Sequence, residues 1–236
     1  MKSCLTVVIP CYNEEKTITE LVTRVLAQDL VREVLVINDA SIDNSLEKLS
    51  QVKDSRLTVI SNAKNLGKGA SVKAGFMKAT SQFVLIQDAD LEYSPEEYPR
   101  LLKPLQEGFA DAVFGSRFLT YESRRALFFW HSLGNRFLTL LSNAFTNIYL
   151  TDMETCYKVM KVEFAQSLNI QENRFGLEPE ITAKLAKMNA RIYEVAISYH
   201  GRTYSEGKKI TWKDGFSAIR CVVKYNIMKH DSVNRT

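Results

Sequence analysis

Short apolar runs alternate with amphipathic segments along the chain. Runs of aliphatic and β-branched residues predict buried strands, and apolar residues that recur every three to four positions predict helices. The predicted strands are Leu5–Ile9, Glu33–Ile37, Arg56–Ile60, Gln82–Ile86, Asp111–Phe114 and Arg191–Ser198. The predicted helices are Glu14–Ala27, Asp43–Val52, Gly67–Thr80, Ser94–Gly108, Arg124–Tyr149, Pro179–Met188 and Trp212–His230. Strands that alternate with helices indicate a doubly wound, mostly parallel α/β sheet.

Length and composition narrow the class of protein. A chain of 236 residues suits one domain, or one domain with a short appendage. It has no stretch of about 18 apolar residues, so we expect no membrane-spanning helix. The apolar run Leu5–Ile9 is too short for a signal peptide. The four cysteines form no C-x-x-C pair, which argues against a zinc site and for reduced, cytosolic thiols.

Polar residues follow four of the predicted strands, where open α/β sheets bind their ligands. The sharpest such feature is the pair Asp88 and Asp90 after the fourth strand, with Glu92 two residues later. Carboxylates suit a hard divalent cation that also binds phosphate oxygens and water. The competing interpretation is a strand end with solvated acids.

A glycine-rich segment, Asn65–Gly69, precedes the third predicted helix. The amide groups of a helix N-terminus, together with Lys68, suit an anion such as phosphate. The segment matches neither the G-x-G-x-x-G fingerprint nor the P-loop pattern. A structural loop without a ligand therefore stays as the alternative.

These motifs together resemble family 2 glycosyltransferases of the GT-A fold, and most of all the group similar to dolichol-phosphate mannosyltransferases. The resemblance covers nearly the whole chain. It rests on the segments Val7–Glu15, Ile37–Ser45, Asn65–Phe76, Gln87–Glu97, Gly115–Phe118, Asp152–Met160, Phe175–Leu185 and Gly201–Gly215. It implies a Rossmann-like glycosyltransferase domain over residues 1–211, followed by a basic amphipathic helix over residues 212–236.

The resemblance also implies a role for individual residues. Nucleotide binding falls to Pro10, Tyr12, Glu14, Asp39, Lys68, Asp88 and Ala89. Mg²⁺ or Mn²⁺ would be held by Asp88, Asp90 and Glu92. The catalytic positions are Asp90, Arg117, Asp152 and Arg202, and the phosphates of donor or acceptor would meet Arg117, Arg202 and Lys208.

The implied reaction is the inverting transfer of a hexose from a nucleotide diphosphate sugar to a polyprenyl or dolichyl phosphate. GDP-mannose is the favoured donor, and a UDP-sugar stays open. Because a phosphate monoester is already an anion near neutral pH, it needs no strong base, and Asp152 is expected to position groups or to act as a weak base. The usual D-D-G-S after the second strand is Asn38–Ser41 here, and the usual Gln at the third metal position is Glu92.

Two segments raise the question of membrane contact. Ala126–Leu141 is unusually apolar for a surface helix, and either core packing or a membrane explains it. The last helix interleaves apolar and basic residues, which suits an interfacial helix on an anionic membrane or a helix packed on the sheet. We expect a peripheral protein at the cytoplasmic face of a membrane, with a membrane-anchoring subunit as a further partner.

Other functions stay open at this point. Transfer to a sugar or protein hydroxyl would need a true base, so Asp152→Asn should abolish it and should spare transfer to a lipid phosphate. A non-catalytic scaffold that binds sugar nucleotides need not keep both Asp88 and Asp90. No recognised nucleic-acid-binding motif appears, so we expect no nucleic-acid partner.

Overall fold

A computed structural model describes residues 3–119, 128–174, 176–201 and 212–227. Its described residues form one mixed sheet of seven strands in the order β3-β2-β1-β4-β6-β5-β7. The strands are β1 (Leu5–Cys11), β2 (Val31–Asn38), β3 (Leu57–Ser61), β4 (Phe83–Ile86), β5 (Ala112–Ser116), β6 (Lys158–Lys161) and β7 (Ile192–Ala196). All neighbouring strands run parallel except β6, which is antiparallel to both β4 and β5.

Helices flank this sheet, as the sequence predicts. They are α1 (Ile18–Leu26), α2 (Ser45–Gln51), α3 (Lys68–Lys78), α4 (Tyr98–Gln106), α5 (Phe129–Thr146), α6 (Val162–Ser167), α7 (Leu177–Lys187) and α8 (Trp212–Ile227). Successive residues of β1, such as Val7, Val8 and Ile9, are fully buried although they point to opposite faces. Cover on both faces explains why the strands read as continuous apolar runs. The predicted mostly parallel α/β fold is confirmed.

The antiparallel strand β6 is the one strand that the sequence pattern did not predict among those of the described residues. Val159 pairs with Leu85 of β4 on one side and with Val113 of β5 on the other. Because β6 runs against its neighbours, the segment that enters it lies at the carboxyl ends of β4 and β5. The topology thus brings Asp152 and the residues after it to the edge where Asp88 and Asp90 also lie.

The last helix packs on the body of the protein. Ala218, Cys221, Val222 and Tyr225 of α8 are buried, and α8 contacts α7 and α5. The basic residues Arg220 and Lys224 both bind the carboxylate of Glu172, at 2.8 and 2.9 Å. Packing therefore accounts for much of the pattern in α8. Within the described part of the chain, no helix is long and apolar enough to cross a membrane.

Candidate active site

The loops after β1 and β2 are tied together by side chains from the second motif. The backbone amides of Asn13 and Glu14 donate to the hydroxyls of Ser41 and Ser45, at 3.0 and 2.9 Å. The side chain of Asn13 accepts the amide of Ile42 in return. Pro10 lies within β1, and the neighbouring Tyr12 is 38% exposed at its end. The two motifs therefore form one polar surface beside the strand ends.

Asp39 is buried, and its carboxylate holds the glycine-rich loop. It accepts hydrogen bonds from the side chain of Asn62 and from the backbone amides of Leu66 and Gly67, at 2.7–2.9 Å. In these contacts Asp39 fixes the loop that leads into α3. Its predicted contact with the base or ribose stays a prediction.

The glycines of this loop allow close packing against another loop. Gly67 has φ +99°, and a Cβ there would lie 2.2 Å from the carbonyl oxygen of Asn173. A Cβ at Gly69 would lie 1.9 Å from the carbonyl oxygen of Glu172. The amide of Gly69 already donates to Asn173. The close approach of the two loops explains both glycines, and phosphate binding at this helix start stays a prediction.

Lys68 connects the loop to the first of the paired aspartates. Its Nζ lies 2.9 Å from Asp88 Oδ1 and 3.1 Å from Glu178 Oε1. Burial opposes the charge on Lys68, but the two carboxylates outweigh it and raise its pKa well above the ordinary value. A fixed positive charge thus lies between two carboxylates at the carboxyl end of β4, and its predicted contact with a nucleotide stays a prediction.

The loop that carries Asp88 and Asp90 is fixed by hydrogen bonds from Thr17 and Gln87. The hydroxyl of Thr17 donates to the carbonyl of Ala89 at 2.6 Å. The buried amide of Gln87 accepts the hydroxyls of Tyr98 and Tyr157 and donates to the carbonyl of Asp88. Leu91 has φ +62°, an uncommon conformation for a branched residue, so tertiary contacts fix this turn.

The donor set at this loop fits a divalent cation in part. Asp88 and Asp90 offer carboxylate oxygens, and Mg²⁺ is commonly held by one or two carboxylates with phosphates and water completing its shell. One oxygen of Glu92 and one of Asp88 already have partners, since Glu92 Oε2 accepts the hydroxyl of Tyr199 at 2.6 Å and Asp88 Oδ1 pairs with Lys68 at 2.9 Å. Among the described residues, no group of three His, Cys, Asp or Glu side chains could hold a metal. Two carboxylates plus a diphosphate are therefore the arrangement that these residues suit.

Arg117 and Asp152 form a buried ion pair on the other side of the site. The Nε and Nη2 atoms of Arg117 donate to the two carboxylate oxygens at 2.7 and 2.8 Å, and its backbone amide donates at 3.0 Å. Asn135 of α5 supplies a fourth hydrogen bond at 3.0 Å. Burial disfavours the carboxylate charge, but Arg117 outweighs that effect and lowers the pKa of Asp152. A buried carboxylate with four donors is a poor proton acceptor.

Tyr199 links the two halves of the site. The guanidinium of Arg117 lies 5.2 Å from the centre of its ring, and its hydroxyl donates to Glu92. Tyr93 packs beside both Tyr157 and Tyr199, with ring centres 4.7 and 5.2 Å away. An aromatic cluster thus fixes the aspartate loop relative to the Arg117 pair.

Glu154 is a site residue to which the sequence analysis gave no role. Its Oε1 is buried, and none of the residues in the described ranges hydrogen-bonds to it. Burial and the neighbouring Glu178 carboxylate raise the pKa of Glu154 to about 8. Its only sequence signal was an acid two positions after Asp152. A carboxyl group that titrates near neutral pH is typical of acid–base catalysis.

Two predicted phosphate ligands, Arg202 and Lys208, lie outside the described residues. Their contacts with a donor or acceptor stay predictions.

Curated proteins are similar in sequence to all or part of this chain. An uncharacterized protein of Methanocaldococcus jannaschii is 28% identical over 233 residues, which are 92% of this chain and 97% of that protein. The undecaprenyl-phosphate 4-deoxy-4-formamido-L-arabinose transferase of Salmonella paratyphi A is 40% identical over 112 residues. That match spans 44% of this chain and 34% of the Salmonella protein.

Solved structures confirm the fold. The glucosyl-3-phosphoglycerate synthase of Mycobacterium tuberculosis, crystallised with Mn²⁺, uridine diphosphate and phosphoglyceric acid, superposes with a TM-score of 0.73. The superposition covers 97% of this chain and 80% of that chain, at 17% identity. The sequence model of glycosyl transferase family 2 matches residues 6–168. The chain therefore belongs to glycosyl transferase family 2 and is a glycosyltransferase with the GT-A fold.

Proposed function

We propose that the protein transfers a hexose from a nucleotide diphosphate sugar to a polyprenyl phosphate, with inversion at the anomeric carbon. The observation that carries the proposal is the arrangement around Tyr199. This side chain holds the loop of Asp88 and Asp90 in a fixed relation to the Arg117–Asp152 pair. Carboxylates that would hold a metal–diphosphate complex and a cation that would bind phosphate thus lie at one sheet edge, which supports the proposal.

On the donor side, Asp88 and Asp90 would hold Mg²⁺ or Mn²⁺, which supplies charge neutralisation for the diphosphate leaving group when bound. The M. tuberculosis enzyme of the same fold was crystallised with Mn²⁺ or Mg²⁺ and uridine diphosphate. Lys68 adds a further positive charge beside Asp88. GDP-mannose is the donor that the sequence resemblance favours, and UDP-sugars are the alternative.

On the acceptor side, a phosphate oxygen would form the bond to the anomeric carbon while the bond to the diphosphate oxygen breaks. The nucleoside diphosphate leaves with the electron pair, and no proton must be removed from an ionised phosphate. Arg117 would orient this phosphate, and Asp152 would hold Arg117 in place. The Salmonella relative is named as an undecaprenyl-phosphate sugar transferase, which supports this acceptor class.

A hydroxyl acceptor is the second candidate, and Glu154 is the observation that favours it. Such an acceptor must lose a proton, and Asp152 is buried, ion-paired and poorly basic. The pKa of Glu154 is raised to about 8 by burial and by Glu178, so its ionised form is a stronger proton acceptor than Asp152. Under this reading Glu154→Gln abolishes transfer.

The test incubates the purified protein with Mg²⁺ or Mn²⁺, a polyprenyl phosphate and labelled GDP-mannose, UDP-glucose or a UDP-N-acetylhexosamine. Label that enters the organic phase reports transfer to lipid. We expect one donor to give metal-dependent label that Asp90→Asn removes. Asp29→Asn changes an exposed aspartate of the α1–β2 loop and should leave the rate unchanged.

Other outcomes point away from the proposal. Nucleoside diphosphate that accumulates while all label stays in water indicates a different acceptor, and hydroxyl acceptors then follow. Transfer that survives Asp90→Asn and chelation would refute the metal role. No donor use at all would favour a non-catalytic binding protein.

A further inference from the structure

The buried positions of helix α5 are polar, and most of its large apolar residues are exposed. Thr139 and Ser142 are its buried residues. Five large apolar side chains on its outer surface are 47–77% exposed, and we call them the α5 stripe: Phe129, Trp130, Leu133, Phe137 and Leu140. The stripe runs about 17 Å along the helix at about 1.5 Å per residue. A surface helix normally shows the reverse pattern, and an exposed apolar patch of this kind marks an interaction surface.

The inner face of α5 is polar because it builds the active site. Asn135 donates to Asp152, and the hydroxyl of Thr139 accepts the backbone amide of Met153. Asn143 makes two hydrogen bonds with the backbone of Leu150. These contacts anchor the segment that carries Asp152. The outer face takes no part in them, so its apolar character needs another cause.

The chemistry of the outer face fits a lipid surface. Helix α5 contains no acidic residue, and its ionisable residues are His131 and the exposed Arg136. Large aromatic residues beside a basic one are typical of helices that lie in the membrane interface, and an anionic lipid meets no like charge here. By contrast, Arg220 and Lys224 of α8 are already bound to Glu172.

We infer that the α5 stripe lies in the interfacial region of an anionic bilayer and so presents membrane-embedded acceptor to Arg117. The inference rests on the proposed lipid-phosphate function. An α-helix is about 10 Å across, so a bilayer against the stripe lies about one helix diameter from Asn135 and its partner Asp152. A lipid phosphate at the membrane surface is then close to the buried ion pair.

Trp130 reports directly on this contact, because the chain has two tryptophans and the other, Trp212, can be replaced by Phe. The probe is the Trp212→Phe protein with vesicles of phosphatidylcholine and phosphatidylglycerol, with and without brominated acyl chains. We expect a blue shift of the Trp130 emission on vesicle addition and quenching by the brominated chains. Unchanged emission overturns the inference.

A matched pair of variants tests the functional consequence. Phe137 of the stripe is 55% exposed, and Phe109 in the α4–β5 loop is 57% exposed. Phe137→Ser should weaken vesicle binding about tenfold, as loss of one buried aromatic implies, whereas Phe109→Ser should leave it unchanged. The ratio of transfer rates, vesicle-embedded acceptor to water-soluble short-chain polyprenyl phosphate, should fall about tenfold with Phe137→Ser.

The Trp130 fluorescence and the transfer rates together distinguish failure of the inference from failure of the proposed function. Lipid-linked transfer with no Trp130 insertion overturns the inference and leaves the function standing. Insertion of Trp130 without transfer to either acceptor overturns the function. A dimer that shields Trp130 in the absence of vesicles, seen by sedimentation, overturns the inference in favour of a second copy on the stripe.

Discussion

Replacing Asp152 by Asn should destabilise the protein because it leaves Arg117 buried without its counter-charge. The Asp152 side chain is fully buried, and that of Arg117 is 16% exposed. Removing one partner of a buried, hydrogen-bonded ion pair costs about 3–5 kcal/mol. A domain typically has about 5–15 kcal/mol of unfolding free energy, so the loss is a large share of it. In a chain of this size the expected fall in Tm is about 6–20 °C.

Urea unfolding followed by circular dichroism measures the change, with Asp54→Asn as the control. Asp54 pairs with Arg56 at 2.8 Å, but the pair lies at the surface, where such pairs contribute little. The stability from Asp152 is present above the unfolded pKa of about 3.9 and is lost as the pH falls below it, because its folded pKa is lowered. The gap between Asp152→Asn and the parent should therefore close in acid.

A double-mutant cycle with Arg117→Gln identifies the role of Asp152 in catalysis. If Asp152 acts by positioning Arg117, the double variant is little worse than either single variant in stability and in acceptor KM. Loss of activity in Asp152→Asn alone therefore does not identify a base, contrary to the expectation from the sequence. If the unfolding free energy of Asp152→Asn lies within about 1 kcal/mol of the parent value, the assigned ion pair is refuted.

Three further predictions concern stability. Ala40 has the strained backbone angle φ +57°, so Ala40→Gly should stabilise the protein by about 1 kcal/mol. Ala27 has φ −72°, so the control Ala27→Gly should destabilise it. Urea unfolding compares the two variants, and equal effects would contradict backbone strain at Ala40. The raised pKa of Glu154 means that stability falls as the pH rises from about 4.5 to about 8. Glu154→Gln should remove this loss of stability when Tm is measured as a function of pH. An unchanged dependence of Tm on pH would exclude a raised pKa at Glu154. Gly69→Ala should lower the unfolding free energy by about 1–3 kcal/mol or more, because the new Cβ would meet backbone atoms. Gly134→Ala has open space at its Cβ and should stabilise α5. If urea unfolding shows Gly69→Ala to be the more stable variant, the packing argument is disproved.

The hydrophobic pattern predicted six of the seven strands and the larger helices, with ends that differ by a few residues. It did not predict the short α6 or β6, and β6 (Lys158–Lys161) has only two apolar residues between its terminal lysines. Such a segment becomes a strand through its pairing with β4 and β5, which are distant in sequence.

The candidate site divides in the same way. Asp88 and Asp90 come shortly after a buried strand, so the sequence alone placed them at the sheet edge where open α/β sheets bind ligands. The meeting of Arg117 with Asp152 depends on the reversed direction of β6, which no local pattern encodes. Glu154 drew no attention because burial, and not its identity, sets its pKa.

The sequence by itself determined the fold class, the strand ends where polar candidate residues gather and the family, since these follow from local periodicity and short motifs. Only the tertiary structure decided which face of α5 is inside. The periodicity of a helix reports that two faces differ, but the neighbouring elements determine which face they cover. Here α5 packs against α7 and α8, and its buried polar residues bind the backbone and side chains around Asp152, so this face lies inside and the apolar α5 stripe is exposed.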